Sequence, residues 1–213
     1  KGNAAATSTP PEGAMTNSRV VIVDKAGSNS TALLVGQFGV TRSNPEYEKL
    51  DVMNTVLGGQ FSSRINLNLR EDKGYSYGAF SFIGQNRGVG PFMAGAQVRG
   101  DVTGPSAEEL LKEVTKIRDS GVTEEELALA KESITRPLPA NFETTASTAG
   151  TMAGLYLFEL PLDYYETLPT RVNAITAADV ATVAKKYLTP ERMVVVAVGD
   201  RKTIEPQLQK LNL

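Results

Sequence analysis

The 213-residue chain contains no histidine and no cysteine. Without cysteine there are no disulfides and no thiolate sites, which is compatible with either bacterial cytoplasm or periplasm. Without histidine, only carboxylates remain to hold a zinc ion, which favours nitrogen and sulfur donors. No pair among the 24 acidic residues stands in a convincing ligand context. Glu124, Glu125 and Glu126 sit at an expected helix start, where they complement the dipole. No apolar run approaches the ~20 residues of a membrane span. Nor is there a block of like charge, and a net charge of −2 gives no reason to expect a nucleic acid or an acidic surface as partner.

What is present fits a soluble globular chain, 41% hydrophobic and 22% charged, long enough for one large domain or two small ones. Residues 1–18, KGNAAATSTPPEGAMTNS, are small, polar and Pro/Gly-bearing and read as a linker or tail ahead of a domain spanning 19–213. This start has no apolar core of a signal peptide. Beginning at Lys1, the chain reads as a piece of a longer protein or as a processed terminus.

RVVIVD (19–24) and TALLVGQFGV (31–40), separated by turn residues, suggest two neighbouring strands, with Ala32, Leu34, Gly36 and Phe38 on one face of the second. Asn44 and Pro45 open a helix carrying Tyr47, Leu50, Met53 and Leu57 at helical spacing, ending at Gly58-Gly59. Residues 77–83 and 91–98 read as a hairpin joined by GQNRGVG, with Phe92, Ala94, Ala96 and Val98 on one face. That loop lacks the Lys-Ser/Thr ending of a phosphate-binding loop. Ser106 with Glu109 and Thr123 with Glu126 have the spacing of capping boxes. Pro137 and Pro139 interrupt the helical run. Further helices are expected near 142–157, 164–172 and 176–188, then a continuous apolar strand in 192–200 and a short helix from Thr203. Early strands, several helices and a last strand joining the sheet describe an α+β two-layer domain, with a largely antiparallel or mixed sheet and helices packed on one face.

Residues 58–78, GGQFSSRINLNLREDKGYSYG, hold the one close set of residue types that looks built for a task. They read as a glycine turn, a short helix capped by Ser62 or Ser63, and the start of a strand. Ile65 and Leu69 share a helix face, and Gly74 supplies the left-handed position at which helices commonly end. Tyr75, Tyr77 and Ala79 then alternate with Ser76, Gly78 and Phe80. This reading puts Arg70 in the last helical turn and Tyr77 at the adjoining strand start, so that a guanidinium and a phenol can converge. Each also has an ordinary role, the cation against the helix dipole and the tyrosine in a strand.

The run NTVLGGQFSSRINLNLREDKGYSY resembles the second half-domain of the insulinase or pitrilysin-type zinc peptidases, which include the mitochondrial processing peptidases. The resemblance lies in Leu57, Gly58 and Gly59; Ser63, Arg64 and Ile65; Leu69, Arg70 and Glu71; and Gly74 with Tyr77. It extends through ANFETTASTAG, LPLDYYETLPTRVNAITAADV and the closing VAVGD. It implies that Arg70 and Tyr77 are the family's substrate-binding, oxyanion-stabilising pair, with Gly58, Gly59 and Gly74 shaping the turns that place them. It also implies a partner: a zinc-bearing H-x-x-E-H half-domain or subunit that closes a peptide-sized chamber. A chain without histidine cannot carry that motif, so this one is expected to hold no metal or cofactor and to be inactive alone, with zinc on the other half. The alternative is a non-catalytic scaffold of the same fold, like the core subunits of respiratory complexes.

Overall fold

The computed structural model describes residues 18–211, so all of the expected linker but Ser18 lies outside the described residues. Five strands form one sheet: β1 (Arg19–Asp24), β2 (Ser30–Phe38), β3 (Ser76–Ile83), β4 (Pro91–Arg99) and β5 (Val194–Gly199). Their spatial order is β1-β5-β2-β4-β3. β1 runs parallel to β5, and the other neighbours pair antiparallel. The expectation that β1 and β2 are neighbours is therefore corrected, because β5 lies between them and pairs with both.

Period-2 patterning explains where the core sits. Leu33 and Val35 of β2, Phe92, Ala94, Ala96 and Val98 of β4, and Val195 and Ala197 of β5 are buried. They join one cluster with Leu110, Val114 and Ile117 of α3 (Thr103–Ser120) and Val180, Val183 and Ala184 of α7 (Ala177–Tyr187). The set Ala32, Leu34, Gly36 and Phe38 is on the other face, with Val21, Val23, Phe80 and Phe82, and this face stays partly or fully exposed. The continuous apolar run of β5 is accordingly covered on one side only, with Val194, Val196 and Val198 half-buried.

α1 (Tyr47–Asn54) buries Tyr47, Leu50 and Met53 and continues as a π-helical turn through Gly59, with Leu57 also buried. The Asn44 side chain accepts from the Glu46 amide at 2.8 Å just ahead of it. α2 (Arg64–Asn66) likewise runs into a π-helical turn, Leu67–Asp72. α4 (Glu124–Thr135) opens on the Thr123/Glu126 capping box, as its spacing predicts. The Ser106/Glu109 pair is no cap. α3 begins earlier, at Thr103, straight after a 3₁₀ turn, and Ser106 is buried inside it. Thr103 Oγ1 donates to the Gly100 carbonyl at 3.0 Å, and Pro105 is tolerated because it falls in the first turn. α5 (Thr145–Leu157), α6 (Tyr164–Ala174) and α8 (Arg201–Leu208) complete the helices, and α5 and α7 open on capping boxes of their own.

Candidate functional site

The stretch from Gly58 to Gly78 packs against β3, one of the two edge strands of the sheet, and runs into it. Gly58 is buried where the π-helical turn after α1 meets β3; a Cβ there would lie 2.3 Å from the Ser81 amide nitrogen. Only glycine allows that approach. The chain then turns into α2. Ser63 occupies the N-cap position, yet its hydroxyl is buried without a hydrogen-bond partner, so the expected side-chain cap is not made. Arg64 holds this end instead. Its guanidinium forks onto the Glu126 carboxylate at 2.6 and 2.7 Å and donates to the Gly121 carbonyl at 2.9 Å. That bidentate pair holds the Glu126 carboxyl below its ordinary range.

The turn that follows carries Arg70 and is tied to α3 through Asn68, whose amide donates to Glu109 at 2.8 Å and Glu113 at 3.0 Å. Burial pushes the Glu109 carboxyl up, but the Asn68 amide and the Lys112 and Lys73 ammonium groups outweigh it and leave the group low. Gly74 then takes φ +61°, the left-handed position foreseen for it.

Arg70 stacks on the Phe61 ring, 4.3 Å from its centroid, and lies 3.5 Å from the Glu71 carboxylate. Its Nη1 makes no hydrogen bond among the described residues. In β3 the simple alternation fails: Ser76 pairs with Val98 and Ala79 with Ala96, so one extra residue is bulged between them. The bulge turns Tyr77 fully into solvent. Arg70, Gly74 and Tyr77 line one cleft of about 470 Å³, together with Ser30, Tyr75 and Arg99. Gly58 and Gly59 lie outside its lining.

Some contributors were not singled out in the sequence: Phe61 as platform, Arg64 as anchor, Asn68 as tie, and Asn66 (below). Paired asparagines in an otherwise apolar helical stretch were the available signal. Among the described residues, no group of three or more acidic side chains converges as a metal site. With no histidine or cysteine in the sequence, the described residues do not fit zinc.

The family model for the peptidase M16 inactive domain matches residues 3–134. The chain belongs to the peptidase M16 family. Its match is to the inactive half-domain, which bears out the insulinase-type resemblance. An uncharacterised zinc protease, YmxG, of Bacillus subtilis is 26% identical over 159 residues, 75% of this chain and 38% of that protein. The non-peptidase homolog YmxG of Helicobacter pylori is 24% identical over 166 residues, 78% of this chain and 38% of its own length. The M16 chain thus spans well under half of these relatives. Among solved structures, a peptidase M16 inactive domain from Pseudomonas fluorescens superposes with a TM-score of 0.82 at 25% identity, covering 92% of this chain and 47% of that one.

Proposed function

We propose that this M16 half-domain is the substrate-holding side of a two-halved zinc endopeptidase, closed by a zinc-bearing half outside this chain. The observation that carries the reading is the placement of Arg70 and Tyr77 on one open cleft, the first braced on Phe61 and the second bulged into solvent. Zinc on the other half would supply the activated water. From this side, the Tyr77 hydroxyl and the Arg70 guanidinium donate hydrogen bonds to a peptide carbonyl oxygen and meet the negative charge that grows on it. Charge-assisted bonds from Arg70 also hold the substrate in register. The uncovered apolar sheet face, with Phe80 and Phe82, suits one wall of a chamber that a second half would close.

In the assembled protein, Tyr77→Phe is expected to lower turnover on the order of 10²-fold. Because the side chain is fully exposed, the melting temperature should not move. Arg70→Ala is expected to weaken substrate binding as well. Unchanged kinetics for both variants would reject the reading. The isolated chain should retain no zinc after dialysis and cleave no peptide; chelator-sensitive activity that co-purifies with it would argue the reverse.

A second reading has one specific support, the description of the Helicobacter pylori relative as a non-peptidase homolog. On that reading the domain is a scaffold and the cleft is idle. Absence of an H-x-x-E-H sequence from both the parent chain and its co-purifying partners would decide for it.

A further inference from the structure

We propose that Asn66 is the positioning residue that sets Arg70 and Tyr77 relative to each other. Asn66 is 3% exposed, and its side chain bridges β3, which carries Tyr77, and the segment of Phe61, on which Arg70 stacks. On one side, Oδ1 accepts from the Ala79 amide at 2.9 Å, immediately after the bulge that presents Tyr77. On the other, Nδ2 donates to the Phe61 carbonyl at 2.5 Å, and the Phe61 ring is the surface on which the Arg70 guanidinium lies.

One planar amide therefore ties the support of Arg70 to the strand that presents Tyr77. β3 is an edge strand, and Asn66 supplies Ala79 with the partner that a further strand would otherwise give. Without that bond the tie on the helical side is left to the Tyr75 amide, which donates to the Leu69 carbonyl at 2.8 Å ahead of the bulge, and the segment from Tyr77 to Ala79 gains freedom to move. Without the bond to Phe61, its carbonyl has no hydrogen-bond partner among the described residues. Phe61 is 70% exposed, so little packing would keep it in place. No other described side chain bonds to both segments. Asn54, one turn earlier, grips Ser81 further along the same edge and does not reach the pair.

The functional meaning of this placement rests on the reading of Arg70 and Tyr77 given above; the placement itself does not. The test is made on the full chain by nuclear magnetic resonance, with the Arg70 side-chain Nε–H and the Tyr77 ring as reporters. Phe61 displaces the Arg70 signal through its ring current, and Phe61→Leu defines the signal without it. Asn66→Asp keeps the volume and the acceptor for Ala79 but sets an oxygen against the Phe61 carbonyl. It is expected to move the Arg70 signal more than halfway to its Phe61→Leu position while the Ala79 amide and Tyr77 ring signals hold. Asn66→Leu, which removes both bonds, should move the Arg70 and Tyr77 reporters together. If it does not fold, Asn66→Asp alone decides. A lowered melting temperature with the Arg70 signal in its original place would make Asn66 merely structural and overturn the inference.

In the assembled protein, Asn66→Asp should lower turnover by up to about 10²-fold, as expected for a misplaced substrate-holding group. Loss of turnover in Arg70→Ala and Tyr77→Phe, with the Arg70 signal unmoved in Asn66→Asp, would overturn the inference and spare the reading of the cleft. A displaced Arg70 signal, with turnover indifferent to all three substitutions, would do the reverse.

Discussion

A methyl group added at Gly58 would meet the Ser81 backbone nitrogen at 2.3 Å and the Ile65 side chain at 2.4 Å, whereas one added at Gly74 would meet nothing within 4 Å. Gly74 is required by conformation alone, at φ +61°. The two glycines therefore fail differently on substitution. Gly74→Ala should cost about 1–2 kcal/mol, the penalty for a side chain in the left-handed region. Gly58→Ala has to displace backbone as well as side chain and should cost about 3 kcal/mol, at the upper end of overpacking effects. Urea denaturation of both variants checks this, and equal costs would contradict the contact argument. The role of Gly74 was legible in the sequence because a left-handed helix end is a local matter. That of Gly58 was legible only as a turn, since the contact that demands glycine comes from Ser81 on a strand reached later in the chain. Asn66 was hidden for the same reason: the worth of an amide depends on what it reaches in space.

Among elements, the capping box of α4 was readable from Thr123 and Glu126, but the second duty of Glu126 was not. Its carboxylate also receives the Arg64 fork, which ties the central stretch to α4. The Arg64 bond is the main cause of the lowered Glu126 pKa. A carboxyl held lower in the folded than in the unfolded chain contributes stability that is fully present above its unfolded value and lost as pH falls through its folded one. Stability should thus decline as pH falls below about 4.3, the unperturbed glutamate value. In Glu126→Gln, which can still serve the capping box, that part of the acid decline should be absent. Urea midpoints measured from pH 6 to pH 3 would show it, and parallel profiles for the two proteins would exclude it. Elements with a strong local signal, such as α4, α7 and the β3–β4 hairpin, were legible. The bulge in β3 was not, because Ser76 and Ala79 reveal their shared face only against Val98 and Ala96. The start of α3 was missed because an acceptable capping pattern at Ser106 lay three residues inside a helix that a tight turn from β4 had already begun.

For the whole molecule, the α+β class and the single sheet followed from counting strands and helices, but the strand order did not. Nothing local to RVVIVD or to TALLVGQFGV announces that a segment from the far end of the chain will separate them. In the folded protein Arg19 pairs with Val194 and Asp24 with Gly199, and among the described residues β5 is the one sheet neighbour of β1. A chain ending at Leu188 should therefore lose more than one strand: β1 has no ladder to join and one flank of β2 is left bare. We expect such a truncation to be protease-sensitive from its first strand and poorly soluble, by limited proteolysis and sedimentation; a soluble product with β1 protected would count against this. The same arrangement governs what happens on the ribosome. At about 5–20 residues added per second, β1 emerges on the order of ten seconds or more before β5, and through that interval two apolar ribbons wait with open edges. Until β5 has emerged, β1 and one flank of β2 stay open to pairing with other chains.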